Sequence, residues 1–67
     1  MQISVRNKLA GTVKEVRLGA VMAEIVIQVG DNQLVSAITK DAAEDLALKV
    51  GDKVTALVKS TSVMVQK

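Results

Sequence analysis

The sequence predicts an all-β domain with one short helix, folded as a small five-stranded barrel. Three observations carry this. Apolar and polar residues alternate along most of the 67 positions, the period of half-buried strands. Turn signals around Gly19, Gly30 and Gly51 divide the alternating runs. A single stretch, residues 41–47, switches to helical spacing.

Residues 2–9 place Ile3, Val5 and Leu9 on one side and Ser4, Arg6 and Lys8 on the other. Gly11 then permits a bend or bulge. In the following run, Thr12 to Leu18, Val16 and Leu18 share parity but Val13 does not, which predicts a register change near Lys14-Glu15. Leu18-Gly19-Ala20 reads as a turn. From Val21 to Val29 alternation is strict: Val21, Ala23, Ile25, Ile27 and Val29 share one face. The other face, Met22, Glu24, Val26 and Gln28, is half apolar too, so the strand is expected to be covered on both sides. In so short a chain the second cover is expected from another subunit.

Gly30-Asp31-Asn32-Gln33 has hairpin-turn chemistry, and Leu34 to Thr39 is rich in β-branched and apolar residues. Asp41-Ala42-Ala43-Glu44 resembles a capping box, predicting a helix over about 41–47 with Asp41 as its N-cap. Lys49-Val50-Gly51-Asp52 is a turn. Lys53 to Lys59 resumes alternation with Val54, Ala56 and Val58 inward, and Val63-Met64-Val65 is expected as a last short strand. Val-Gly-Asp occurs at 29–31 and at 50–52, but the flanks differ and there is no internal repeat. About five strands, with the helix before the last of them, suit an OB-like five-stranded small barrel in one domain, residues 1–67.

Domains of this size bury about 60% of their unfolded surface and usually need further support. The chain has no Cys for disulfides and no His or Cys cluster for a structural metal. It has no aromatic residue, yet 49% of it is hydrophobic, which points to self-association. The N-terminus has no signal-peptide core and no run reaches membrane-spanning length. A cytoplasmic protein without a membrane partner is expected.

Without His, Cys or Tyr the commonest acid–base and nucleophilic groups are missing, and Lys59 and Ser60, adjacent on a strand, do not form a ready dyad. No enzyme is expected. Barrels of this type often bind single-stranded nucleic acid, but through aromatic platforms in a basic groove. A chain with no aromatics and a net charge of +2 ranks well below that.

Two stretches stand out for containing donors only. Val58-Lys59-Ser60-Thr61-Ser62 follows an apolar run with one cation and three hydroxyls, and Ser4-Val5-Arg6-Asn7 adds a hydroxyl, a guanidinium and an amide. A tetrahedral oxyanion needs converging donors and no nearby acceptor. Ser4, Arg6, Lys59, Ser60 and Thr61 meet that description, with the N–H groups of the helix start beside Thr39 as a further candidate. Charge-assisted hydrogen bonds contribute roughly 1.5–3 kcal/mol each. About six of them, after desolvation and lost freedom, support affinity near micromolar. Taken singly, each residue has a plainer reading. Lys59 serves as a charge blunting an edge strand, Arg6 as a surface residue, Thr39 as a strand end and Ser60-Thr61-Ser62 as a turn.

Together they carry a resemblance. Ile3-Ser4-Val5-Arg6-Asn7-Lys8-Leu9, Gly11 and Val13 begin a pattern that continues through Ile38-Thr39, Leu46, Leu48 and Gly51-Asp52. It ends with Val54, Ala56 and Val58-Lys59-Ser60-Thr61. The chain is similar along its whole length to the molbindins, the small stand-alone form of the molybdate-binding Mop or TOBE domain. The resemblance implies a homohexamer, a trimer of dimers, that binds molybdate or tungstate as an oxyanion at subunit interfaces, with no cofactor. Ser4 and Arg6 would act from the first motif, Lys59 and Ser60 from the last, and Thr39 at the helix entry. Relatives often carry a hydroxyl where this chain has Ala42, so that corner is left to backbone N–H groups or water. No P-loop or helix-turn-helix region accompanies the motifs, which favours storage and homeostasis over transport or sensing. The alternatives are a ligand-free interaction module and an OB-type single-strand binder.

Overall fold

The computed structural model describes residues 6–67. The fold is mostly β with one short helix. Strand β1, Asn7–Leu18, is the longest element, and β2, Met22–Val29, returns against its second half. A turn at Gly30-Asp31, with Gly30 at a φ of 59°, leads into β3, Asn32–Thr39. Positive φ at the first central residue is the glycine requirement of a type II′ hairpin. Helix α1, Lys40–Asp45, follows directly, and β4, Lys53–Val58, pairs with the first half of β1. All pairings are antiparallel, in the order β3-β2-β1-β4.

Gly11 does not break the first strand. β1 runs through it, and a Cβ there would lie 2.6 Å from the Ile27 side chain and 2.7 Å from the Gln28 carbonyl oxygen. Close approach, not a bend, is what needs glycine at this position. The predicted register change is present between Val13 and Glu15. With Lys14 as the extra residue, Val13 and Val16 both turn to the core side, although three positions separate them. Ile3, Ser4 and Val5, the start of the predicted first strand, lie outside the described residues.

The core comprises Val13, Ala23, Ile25, Ile27, Ala43 and Ala56. β2 supplies half of it from the predicted face, while Val21 falls outside the strand and is exposed. On the opposite face of β2, Val26 is buried but Met22 and Glu24 are exposed. Among the described residues, β3 and β4 do not pair, so the barrel is open on that side. An apolar cleft of about 460 Å³ lies there, lined by Ile25, Ile27, Leu34, Ile38, Leu48 and Val54 among others.

Two expectations are corrected. The helix N-cap is Thr39, not Asp41: the Thr39 Oγ1 accepts the Ala42 N–H at 3.1 Å, from an extended backbone with φ −69° and ψ 151°. A β3 residue that is already extended fits the cap directly, so the helix begins two residues earlier than the acid would start it. Glu44 pairs with Lys40 at 3.9 Å, one turn before it, and closes no capping box. Thr39→Ala should therefore cost about 1 kcal/mol of stability and Thr39→Ser almost none, measured by urea denaturation.

Val63-Met64-Val65 forms no strand, leaving four strands among the described residues instead of five. After Lys59 the chain enters a 3-10 turn, Ser60–Ser62, in which the Ser62 N–H donates to the Lys59 carbonyl at 2.9 Å. The turn ends the extended run of β4. Val63, Met64 and Val65 are 51%, 94% and 91% exposed, and strand propensity alone does not make a strand of three residues that pair with no strand among the described residues.

Candidate anion-binding site

The antiparallel register of β1 and β4 joins the two donor motifs. Asn7 faces Val58 in the last rung of the ladder, and the Asn7 Nδ2 donates to the Val58 carbonyl at 3.2 Å. Arg6 and Lys59 flank that rung, one residue beyond it on each strand. Both are exposed. Ser60 and Thr61 follow at once and are exposed as well, so Arg6, Lys59, Ser60 and Thr61 share one end of the sheet. Ser4 lies outside the described residues.

The 3-10 turn changes how Lys59 and Ser60 relate. Strand alternation would send them to opposite faces, but it stops at Lys59, which is the N-cap of the turn. Ser62 and Val63 donate their N–H groups back to Lys59 and Ser60, whereas those of Ser60 and Thr61 have no backbone acceptor among the described residues. Among the described residues, the segment thus has main-chain donors beside its hydroxyls and its ammonium.

Among the described residues, no ion pair engages the cations at this end. The paired segments Asn7–Thr12 and Lys53–Val58 contain no carboxylate. The ion pairs among the described residues lie elsewhere, joining Arg17 to Glu15 at 3.0 Å and to Glu24 at 3.4 Å, and Lys40 to Glu44. No cluster of three His, Cys, Asp or Glu residues that could hold a metal cation occurs among the described residues.

Thr39 is not brought to this end. It pairs with Met22, beside the Leu18 end of β1, whereas Arg6 and Lys59 lie beyond the Asn7 end. The twelve residues of β1 separate the two places. The helix-start donors are partly committed there: the Lys40 N–H reaches the Val21 carbonyl at 2.7 Å, and the Ala42 N–H serves the cap. The Thr39 hydroxyl keeps its proton free to donate, because the cap uses only its oxygen as acceptor.

Reasoning from sequence passed over Asn7 as more than a member of the first motif. Its amide ties the ends of β1 and β4 together and so fixes where Arg6 and Lys59 stand. The signal available was an amide side chain, in a strand run, immediately after the arginine.

The chain has full-length likenesses among known proteins. The TOBE domain family matches residues 3–65. Molybdenum-pterin-binding protein 2 of Clostridium pasteurianum is 46% identical over 66 residues, 97% of each chain. Among solved structures, a molybdate binding protein from Sporomusa ovata is 57% identical, covers 100% of both chains and superposes with a TM-score of 0.93. ModG, a cytoplasmic molybdate-binding protein solved with molybdate bound, is 38% identical over 90% of this chain and 43% of its own, with a TM-score of 0.81. Family match, full-length identity and fold agree, and the chain belongs to the TOBE domain family, in its molbindin branch.

Proposed function

We propose that this protein binds molybdate or tungstate as an intact tetrahedral dianion, by hydrogen bonds and charge alone and without catalysis. The observation that carries the reading is the Asn7–Val58 rung, which gathers Arg6, Lys59, Ser60 and Thr61 at a sheet end whose paired strands carry no acceptor carboxylate. Relatives described as molybdenum-pterin-binding and molybdate-binding supply the identity of the anion. Ser4 completes the donor set from the first motif.

Thr39 joins the site from a neighbouring copy. One chain holds it at the far end of β1 from Lys59, so the two meet only where the Thr39 end of one subunit abuts the Lys59 end of another. Self-association has support of its own. The open side of the barrel leaves the apolar cleft uncovered, and Leu57, Val35 and Val63–Val65 are exposed around the sheet. A homohexamer built as a trimer of dimers is the assembly in view, with molybdate shared between subunits. Its role is cytoplasmic storage and homeostasis of the oxyanion. No helix among the described residues is long and apolar enough to cross a membrane.

Calorimetric titration with molybdate, tungstate and sulfate tests this directly. The expected result is saturable binding of the two metal oxyanions near micromolar. A well-behaved oligomer with no heat from either describes an interaction module and overturns the proposal. Binding of single-stranded nucleic acid that weakens steeply with salt, without oxyanion binding, marks a nucleic-acid role instead. Sedimentation velocity gives the subunit number, and a stable monomer would contradict the shared site.

A further inference from the structure

Lys8 has no part in the donor set above, yet its place in the register makes it the nearest additional cation to that set. It faces Leu57, one rung inside the Asn7–Val58 pair. The core side of this ladder takes Val54, Ala56 and Val58, so Lys8, Leu57, Thr12 and Lys53 share the solvent side. Lys59 has the parity of Leu57 and an extended backbone, φ −62° and ψ 137°, which places it diagonally across from Lys8. Diagonal neighbours of this kind lie about 7 Å apart. Lys53, facing Thr12, is four positions farther along, about 13 Å.

Each of these cations is uncompensated. Among the described residues, none of Arg6, Lys8, Lys53 and Lys59 has a carboxylate within ion-pairing distance. The outer side of the β1–β4 ladder is thus a strip of one sign that leads to Arg6 and Lys59. Elsewhere the surface mixes signs, as in Glu15–Arg17–Glu24. A strip of one charge raises the local concentration of counter-ions and the rate at which they arrive.

We propose that Lys8 is a steering residue, which speeds the arrival of a small oxyanion dianion at the Arg6 and Lys59 end without contacting it once bound, and that Lys53 does the same more weakly. This rests on the oxyanion reading above. In water, a unit charge about 10 Å from a dianion, with a Debye length of about 30 Å at 10 mM ionic strength, changes the association rate about threefold. At about 20 Å the factor falls below twofold, and at 0.5 M salt both effects nearly vanish. A charge that acts by steering moves kon and its salt dependence, whereas a ligand moves koff.

The chain has no aromatic residue to report binding by fluorescence, so amide NMR is the suitable readout. Line shapes from a sodium molybdate titration of the 15N-labelled protein give kon and koff together, at 10 mM and at 0.5 M ionic strength. Lys8→Gln should lower kon about threefold at 10 mM, leave koff unchanged and match wild type at 0.5 M. Lys8→Arg, which keeps the charge, should keep the wild-type rate, and Lys53→Gln should lose less than twofold. A wild-type kon in Lys8→Gln at 10 mM overturns the proposal. So does a raised koff, which would make Lys8 a ligand. A wild-type chain that shows no molybdate-dependent shift overturns the site itself and the steering with it.

Discussion

Lys59→Ala should weaken molybdate binding about 30-fold, or about 2 kcal/mol, the scale of one charge-assisted hydrogen bond. Lys59 is exposed, leaves β4 at the last rung and makes no ion pair among the described residues, so its removal disturbs no other contact described there. Exposed substitutions of this kind change stability by about 0.5 kcal/mol or less. A large loss of affinity with an unchanged urea midpoint is therefore the expected pair of results. Lys59→Arg keeps the charge but replaces a compact ammonium by a planar fork, and should recover only part of the affinity. Calorimetry on the three proteins decides the matter. Equal affinity in wild type and Lys59→Ala would remove this side chain from the ligand set and leave the Ser60 and Thr61 main-chain donors with the larger share.

Gly11→Ala should destabilise the fold by about 3 kcal/mol, at the upper end of the cost of overpacking. The added methyl would meet the Ile27 side chain at 2.6 Å and the Gln28 carbonyl at 2.7 Å. Ile27 can rotate, but Gln28 is held in the β1–β2 ladder opposite Thr12, so the strands themselves have to separate. The effect reaches the site, because Gly11 also pairs with Val54 in the β1–β4 ladder that positions Lys59. A denaturation midpoint equal to wild type would show that the ladder yields locally. By contrast, alanine at the equally glycine-rich turn position 30 would meet no atom within 4 Å, and its cost comes only from the positive φ of 59°.

Much of the architecture is legible locally because strand and turn chemistry act over a few residues. Ala23, Ile25 and Ile27 are buried on the face that alternation assigns them, and the mismatch of Val13 with Val16 marks the bulge correctly. The errors arise where two local signals compete or where a partner is missing. Asp41 and Glu44 look like a cap, but Thr39 arrives from β3 already extended and takes the helix start first. Val63-Met64-Val65 has the composition of a strand, yet after the 3-10 turn it pairs with no strand among the described residues. Gly11 looks like a bend because spacing along the chain cannot show that β2 packs against its α-carbon.

The candidate site divides the same way. By itself, the sequence determined which groups are available: two donor-only motifs, no aromatic platform and no His or Cys for catalysis or metal ligation. Those are properties of side-chain chemistry, which needs no partner. Only the tertiary structure decided which groups meet. Arg6 and Lys59 flank one rung because β1 and β4 pair antiparallel in one particular register, a long-range choice made by the packing of Val13, Ile25, Ile27 and Ala56. The β1–β2 and β2–β3 registers carry Thr39 to the other end of β1, away from Arg6 and Lys59.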